Sequence, residues 1–164
     1  MSTFFPQFDN GVCMNKATTE DVPNIREMVD KAYSKYIDRI GKPPAPMTED
    51  YYSEIKENSV FVLKESDGSL IGLIVVTYKS ESGKMEIKNL VVDPKAQGHG
   101  YGRALMNYAE SIALSHNIHD LELYTNVKMH ENIPLYVKMG FSEVERRIED
   151  GFERVYFRKE LSQK

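Results

Sequence analysis

The feature that most constrains this chain is a set of three glycines spaced two residues apart, at positions 98, 100 and 102. The set follows a run of β-forming residues over 90–92 and precedes a helical pattern over 100–116. Glycine adopts backbone conformations that other residues avoid, so successive N–H groups there can be directed into one small cavity. The positive end of the following helix would add to the attraction. The sequence therefore predicts an anion-binding turn between a strand and a long helix.

Charge and spacing narrow the ligand of this turn. Lys95 and Arg103 flank the glycines and are predicted to neutralise a pyrophosphate. A Rossmann fingerprint would need its last glycine where Arg103 or Leu105 stands, and a P-loop would need Gly-Lys-Ser/Thr. Spacing thus disfavours dinucleotides and nucleoside triphosphates, while an ordinary flexible turn remains the structural alternative.

Hydrophobic periodicity predicts an α/β fold, or α+β by some schemes, with an antiparallel first half. We expect one domain over 12–164 after a loose N-terminal leader over 1–11, with a mixed central sheet of about six to seven strands and about four flanking helices. The predicted strands cover 13–17, 60–64, 70–78, 85–92, 121–125, 141–148 and 154–161, and the helices cover 20–36, 48–58, 100–116 and 133–139.

Two local features carry further expectations. The segment 41–47 contains Pro43, Pro44 and Pro46, which predicts an extended, non-helical connector. Its PxxP spacing also fits a groove in a partner protein, although a plain linker is the commoner meaning. Cys13 lies in an apolar run and is predicted to be a buried thiol in a strand.

Composition excludes several classes of function. A net charge of −4 provides no broad basic field for nucleic acid. Neither a signal-length nor a membrane-spanning apolar run is present, and a single cysteine forms no internal disulfide, so we expect a cytoplasmic protein that contacts no membrane. His99, His116, His119 and His130 have no metal-ligand spacing, which predicts no metal.

Three segments together resemble the GNAT superfamily of N-acetyltransferases, and the likeness extends over nearly the whole chain. Residues 97–102, Gln-Gly-His-Gly-Tyr-Gly, are similar to its acetyl-CoA motif Q/R-x-x-G-x-G/A, and 90–94 are similar to its central strand. Residues 132–141 resemble its helix-turn-strand ending in Tyr-x-x-x-Gly-Phe, with Pro134 as a departure. The resemblance implies that acetyl-CoA is the cosubstrate. The implied binding residues are Leu90, Val91, Val92, Gln97, Gly98, His99, Gly100, Tyr101, Gly102, Arg103, Asn132 and Tyr136.

The resemblance also implies roles in acetyl transfer through a tetrahedral intermediate. Glu86, eleven positions before Gln97, corresponds to a general base acting through water in some members, although it also fits a solvated strand face. Backbone N–H groups near Val91 or Val92 would stabilise the oxyanion if the strand splays there. Tyr136 is the candidate general acid, with a core aromatic as the alternative, and Asn132 would hold the pantetheine arm.

The acceptor is expected to be a primary amine of a small molecule or peptide. Its site would lie opposite the cosubstrate, near Tyr33, Tyr36, Arg39 and Met47, and fold alone does not name the molecule. A non-catalytic acyl-CoA-binding or sensing domain and a structural interaction protein remain as alternatives. Edge strands of a split sheet make a homodimer possible.

Overall fold

The computed structural model describes residues 5–8, 10–79 and 81–162, and its centre is one seven-stranded mixed sheet. Its strands are β1 Cys13–Lys16, β2 Ser59–Lys64, β3 Leu70–Lys79, β4 Lys84–Val92, β5 Asp120–Asn126, β6 Ser142–Glu149 and β7 Phe152–Glu160. The spatial order is β1-β2-β3-β4-β5-β7-β6. Neighbouring strands are antiparallel except β4 and β5, which are parallel. The predicted mixed sheet with an antiparallel first half is confirmed.

Helices cover both faces of the sheet. They are α1 Val22–Tyr33, α2 Lys35–Ile40, α3 Ala45–Thr48, α4 Tyr51–Glu57, α5 Tyr101–Ser115 and α6 Asn132–Lys138, with 3-10 turns at Thr19–Asp21 and Pro94–Ala96. None of these helices combines the length and apolar character that a bilayer crossing requires in the described residues.

The core consists of two apolar layers, one on each side of the sheet. One layer joins the buried faces of α5 and α6 to the sheet, and Leu105, Met106 and Ala109 of α5 are at most 1% exposed. The other joins α1, α2 and α4 to the opposite face through Ile25, Val29 and other apolar side chains. Burying both faces explains why β3 is apolar through most of its length, Leu70 to Val76.

The predicted helix over 20–36 is instead two helices. Its path runs on through Ser34, which keeps a right-handed helical backbone, into α2, and Gly41 ends α2 at a φ of 93°. The described residues therefore contain six helices where the sequence predicts about four, because two short helices, α2 and α3, lack the length that a periodic pattern needs for recognition.

The proline connector is partly helical, so the expectation for residues 45–47 is wrong. Pro44 has an extended backbone and acts as the N-cap, while Pro46 lies in the first turn of α3. A proline in a first turn removes an N–H group that has no helical acceptor in any case. A segment that contains three prolines can therefore still end in one turn of helix.

Cys13 is exposed, contrary to the prediction. Val12 and Met14 are 5% and 2% exposed and point into the core. Successive side chains of a strand point to opposite faces, so the residue between them faces outward.

The described part of the predicted leader contacts the domain. Gln7 forms an isolated antiparallel bridge with Cys13, and the Phe8 ring lies 5.7 Å from the Tyr101 ring at the start of α5. The division of the chain at residue 12 stays a prediction.

Candidate active site

The sheet opens between its two parallel strands. β4 pairs with β5 from Lys84 opposite Asp120 to Ile87 opposite Leu123. Beyond that point β4 continues to Val92 and β5 to Asn126 without pairing to each other. The two strands therefore diverge and leave a wedge in the middle of the sheet, as the sequence analysis anticipated near Val91 and Val92.

A β-bulge lies where this wedge begins. Val75 of β3 pairs with Asn89 and Val76 pairs with Ile87, so Lys88 is the extra residue of β4. A bulge reverses the side-chain alternation of one strand relative to its partner and bends the strand locally. Met85 and Ile87 face the α5 side, whereas Val91, beyond the bulge, faces the α1 side.

The glycine turn lies between the end of β4 and the start of α5. Gly98 and Gly100 have φ angles of 87° and 81°, a conformation that L side chains rarely adopt. Across the part of the chain that the structure describes, the main-chain N–H groups of residues 98–102 have no protein acceptor. These donors are free for an anion at the positive end of a fifteen-residue helix.

Side chains of this turn have mainly structural contacts. The Tyr101 hydroxyl accepts a hydrogen bond from Asn10 Nδ2 at 2.6 Å, and its ring is buried. His99 is exposed, with its ring 6.0 Å from that of Tyr101. Gln97 Nε2 donates to the Val92 carbonyl at 3.2 Å. Position 101 thus contributes its backbone to the turn, while its phenol fixes the start of α5.

Arg103 and Lys95, the two cations that flank the glycines in the sequence, have different surroundings in the structure. Arg103 is exposed at the first turn of α5, and its guanidinium is 3.5 Å from the Lys138 carbonyl oxygen. Lys95 instead borders a polar hollow on the α1 side that also contains Asp67 and Lys31. That Lys95 neutralises a pyrophosphate together with Arg103 stays a prediction.

A cleft of about 800 Å³, part of it open to solvent, occupies the wedge on the α1 side. It is bordered by aromatic and charged groups from six helices and strands, and by the proline connector with the loop that follows it. These are Tyr33, Pro44, Ala45, Pro46, Glu49, Tyr51, Glu54, Val75, Ile87, Lys88, Asn89, Leu90, Leu123, Tyr124, Thr125, Asn126, Met129, Asn132, Tyr136, Phe152 and Arg154.

Tyr136 lies in this cleft with its ring held by the core. Its side chain is 7% exposed, and its ring centroid is 6.1 Å from that of Phe141 and 5.9 Å from that of Phe157. Burial, with the nearby Tyr36 phenol, raises the pKa of Tyr136 to about 12. Pro134 lies in the first turn of α6, where it is tolerated, so it does not displace Tyr136.

Asn132 lies one turn before Tyr136 and also borders the cleft. Its side-chain amide donates to Thr125 Oγ1 at 3.3 Å and lies 3.9 Å from Met129 Sδ. These contacts join α6 to the free end of β5 and fix the amide at the wall of the wedge.

Glu86 lies on β4 before the bulge. Its side chain is 18% exposed, and its carboxylate is 3.7 Å from Lys79 Nζ. It lies two residues before Lys88 on the same strand, and it is not among the residues that border the cleft.

A chain of hydrogen bonds crosses the cleft wall. The Tyr33 hydroxyl donates to Asn89 Oδ1 at 2.9 Å, and Asn89 Nδ2 donates to the Tyr51 hydroxyl at 3.1 Å. The Tyr51 hydroxyl donates to the Pro46 carbonyl at 2.7 Å. Burial raises the pKa of both phenols, so they remain donors at neutral pH. Tyr33 was expected near the acceptor, whereas no sequence motif identifies Asn89 or Tyr51.

The other predicted acceptor residues lie around the mouth. Tyr36 is buried, with its ring 5.0 Å from the Arg39 guanidinium. Arg39 donates to both carboxylate oxygens of Glu131 and to the Lys128 carbonyl, which ties α2 to the loop before α6. Met47 is half-buried and packs on the α1-side core.

Charged residues of the cleft were not identified from sequence. Lys88 Nζ is 2.6 Å from buried Glu54 Oε2, and Glu49 lies close to this pair. Arg154 is 5% exposed, donates to Glu149 and Asp150, and lies 4.2 Å above the Tyr124 ring. Each has an ordinary surface pattern in the sequence, so its position depends on tertiary packing alone. Within the described ranges, no cluster of three or more His, Cys, Asp or Glu side chains suits a metal ion.

Comparison with known protein families supports the family resemblance that was seen in the sequence. The model of the acetyltransferase (GNAT) family matches residues 23–141, which include the bulge, the glycine turn and α6. The chain therefore belongs to this family, which confirms the resemblance seen in the sequence.

Two curated relatives are similar over part of their length. An IAA acetyltransferase of Azospirillum brasilense is 31% identical over 83 residues, which are 51% of this chain and 54% of the relative. A spermidine N(1)-acetyltransferase of Vibrio cholerae is 30% identical over 108 residues, which are 62% of this chain and 61% of the relative. The chain thus spans little more than half the length of the curated relatives that it matches.

Solved structures support the fold. The PaiA N-acetyltransferase from Thermoplasma acidophilum, solved in complex with coenzyme A, has a TM-score of 0.73 at 19% identity. The similarity covers 91% of this chain and 98% of that one. At this identity the likeness establishes a single GNAT fold, and the seven-stranded mixed sheet agrees with it.

Proposed function

We propose that this protein transfers an acetyl group from acetyl-CoA to a primary amine of a small molecule or peptide. The observation that carries the proposal is the set of unbonded N–H groups at 98–102, beside a wedge that opens from the same strand. The family match supports acetyl-CoA as the acyl donor. The buried acid borders the cleft, and the anion site lies beyond the end of β4, the strand that forms one wall of that cleft.

Acetyl-CoA acts here as a substrate, and the residues fit its chemistry. Main-chain donors at the head of α5 suit a doubly charged diphosphate, and exposed Arg103 lies at the same end. The free edge of β4 beyond the bulge offers unpaired backbone groups to the amides of a pantetheine arm. The amide of Asn132 borders the same wedge from α6.

The bond changes balance as follows. The neutral amine nitrogen attacks the thioester carbonyl carbon, and the resulting oxyanion accepts hydrogen bonds from backbone N–H groups near Val91 and Val92. Collapse breaks the C–S bond and forms the amide. The sulfur receives one proton, and the proton lost by the nitrogen is released to solvent.

Tyr136 is the proposed donor of the proton that sulfur receives. With a pKa of about 12, its phenol is fully protonated at neutral pH and regains a lost proton readily. Its burial between Phe141 and Phe157 holds the ring in one orientation. Glu86 is the base predicted from sequence; it does not border the cleft, so that role would require an intervening water.

A two-step experiment tests this function. Acetyl-CoA is expected to raise the melting temperature, as any ligand that binds only the folded state does. A panel of amines is then monitored for release of free thiol in the presence of acetyl-CoA. Amine-dependent thiol release supports the transferase, whereas a thermal shift without turnover on any amine would favour an acyl-CoA-binding or sensing domain.

A further inference from the structure

A buried ion pair stands directly at the bulge. Glu54 of α4 is 4% exposed, and its carboxylate accepts hydrogen bonds from Lys88 Nζ at 2.6 Å and from Asn58 Nδ2. Lys88 is the unpaired residue at which β4 leaves β5. The charge of Glu54 is therefore balanced, and the pair fixes α4 beside the opening of the sheet.

Glu49 lies next to this pair and differs from it. Its side chain borders the cleft, and its own carbonyl accepts a hydrogen bond from Arg26 at 2.9 Å, which fixes the loop between α3 and α4. No cation lies within 4 Å of its carboxylate in the residues that the structure describes. Glu49 is thus a cleft carboxylate whose charge is not matched.

The groups around Glu49 favour its protonated form. Burial and the charge of Glu54 raise the pKa of Glu49, Asp50 acts in the same direction, and Lys88 opposes them. Tyr51 also faces it from α4, and Arg26 lies nearby on α1. A carboxylate that binds protons more readily than usual is better suited to take a proton from an amine.

We propose that Glu49 is the group that takes the proton from the acceptor amine, so that the acceptor enters the cleft as an ammonium ion. This inference rests on the proposed function. The ammonium pairs with the unmatched carboxylate, gives up one proton to it and becomes the nucleophile. Glu49 passes that proton to solvent through the open mouth of the cleft. It then takes the second N–H proton as the C–S bond breaks, while Tyr136 protonates the sulfur.

The wild type is compared with Glu49→Gln, which keeps the size of the side chain and removes its charge, and with Glu57→Gln as the matched variant, at an exposed glutamate of α4 that does not border the cleft. Thiol release is measured against pH with the most active amine of the panel, and acetyl-CoA affinity is measured by calorimetry. Glu49→Gln is expected to lower kcat at least roughly tenfold and to abolish the acidic limb of kcat/KM, with acetyl-CoA affinity unchanged. Glu57→Gln is expected to keep both that limb and the wild-type kcat.

Stability supplies a second readout that does not depend on turnover. Because the pKa of Glu49 is raised in the fold, its ionised form destabilises the native state, and this cost appears as pH rises through that pKa. Glu49→Gln should therefore raise the melting temperature at pH 7.5 and leave it nearly unchanged at pH 4.

The outcomes separate this role from the proposed function. A Glu49→Gln enzyme with wild-type kcat and its acidic limb would overturn the role alone. A wild type that acetylates no amine would reject the function and the role together. A lower melting temperature for Glu49→Gln at pH 7.5 would contradict the unmatched charge.

Discussion

Tyr136 combines two properties that rarely occur together in one phenol. It is buried among aromatic rings, yet it borders an open cleft. Burial beside the Tyr36 phenol raises the pKa of Tyr136 to about 12 and keeps the phenol protonated well above neutral pH. A single residue thus supplies a proton donor whose charge state does not change across the working pH range.

Removing this hydroxyl should affect chemistry more than binding. Tyr136→Phe is expected to lower kcat at least roughly tenfold, the low end of what a positioned acid contributes, while the Kd for acetyl-CoA stays within about twofold. Tyr108→Phe on α5 removes an equally buried phenol outside the cleft and serves as the control. Equal kcat values for the two variants would remove Tyr136 from the acid role.

The Arg39–Glu131 bridge predicts a pH dependence of stability. Hydrogen bonds from Arg39 lower the pKa of Glu131 to about 2, well below about 4.3 for a free glutamate. A lowered pKa stabilises the fold above about pH 4.3, and the contribution is lost as pH falls towards 2. Both side chains are partly exposed, so the effect is below about 1 kcal/mol.

Thermal unfolding of wild type and Glu131→Gln against pH measures this bridge. The wild type should melt higher at pH 6, and the difference should vanish near pH 2. A difference that is constant between pH 6 and pH 2 would show that the charge of Glu131 does not matter.

Single residues were predictable from sequence only where a motif fixes them. The glycines, Tyr136 and Asn132 follow from local spacing; Tyr136 and Asn132 border the cleft, and the glycines lie between β4 and α5. Glu49 and Asn89 have no such signal, because their importance comes from partners distant in sequence, such as Tyr33 for Asn89. Roles for all of these residues stay predictions until the variants are measured.

At the scale of elements, the features that distinguish the glycine turn belong to its main chain and not to its side chains. Gly98 and Gly68 share nearly the same φ, 87° and 89°, and an added Cβ meets no atom within 4 Å at either position. The N–H of Gly68 is already bonded to the Glu65 carbonyl, whereas that of Gly98 has no protein acceptor in the described ranges. The two glycines therefore differ in available hydrogen bonding and not in strain.

Alanine at each position separates strain from binding. Both substitutions should lower the free energy of unfolding similarly, by roughly 1–2 kcal/mol. Only Gly98→Ala should weaken acetyl-CoA binding, by about tenfold, because a backbone that leaves the positive φ turns the N–H of residue 98 away from the diphosphate and loses one hydrogen bond to a charged group. Calorimetry that finds equal acetyl-CoA affinity for both variants would exclude the turn as the anion site.

Elements were predictable when they are long and periodic. Strand and helix positions agree with the sequence within a few residues for β2 to β5 and for α5. The errors concern short elements, such as α3, where a first-turn proline is harmless, and β1, where alternation turns Cys13 outward. The bulge at Lys88 depends on how β3 and β4 pair, and the sequence of neither strand alone predicts it.

On the scale of the whole molecule, both helical layers are needed to form the site. The α5 side carries the proposed anion turn and the α1 side carries the proposed acceptor wall, while the sheet between them opens at one point. The order of elements was enough to predict this architecture, since a strand, a glycine turn and a helix after an antiparallel meander fit few folds. The acceptor wall depends on tertiary packing and was only partly foreseen.

The N-terminal segment should stabilise the whole domain through the start of α5. Phe8 is half-buried against Tyr101, the first residue of that helix. Phe8→Ala is expected to lower the free energy of unfolding by roughly 1–2 kcal/mol in urea denaturation. Val137→Ala, at a side chain 56% exposed, should change it by less than about 0.5 kcal/mol. Equal changes in the free energy of unfolding for Phe8→Ala and Val137→Ala would show that the N-terminal segment is the loose leader that its sequence suggests.

The central claim is that main-chain N–H groups of residues 98–102 bind the diphosphate of acetyl-CoA. Residue-resolved amide hydrogen exchange by NMR, with and without saturating acetyl-CoA, tests it most directly. The exchange of these five amides should slow markedly on binding, while the already bonded Gly68 amide in the β2–β3 turn should not change. Unchanged exchange at residues 98–102 in the saturated protein would contradict the account.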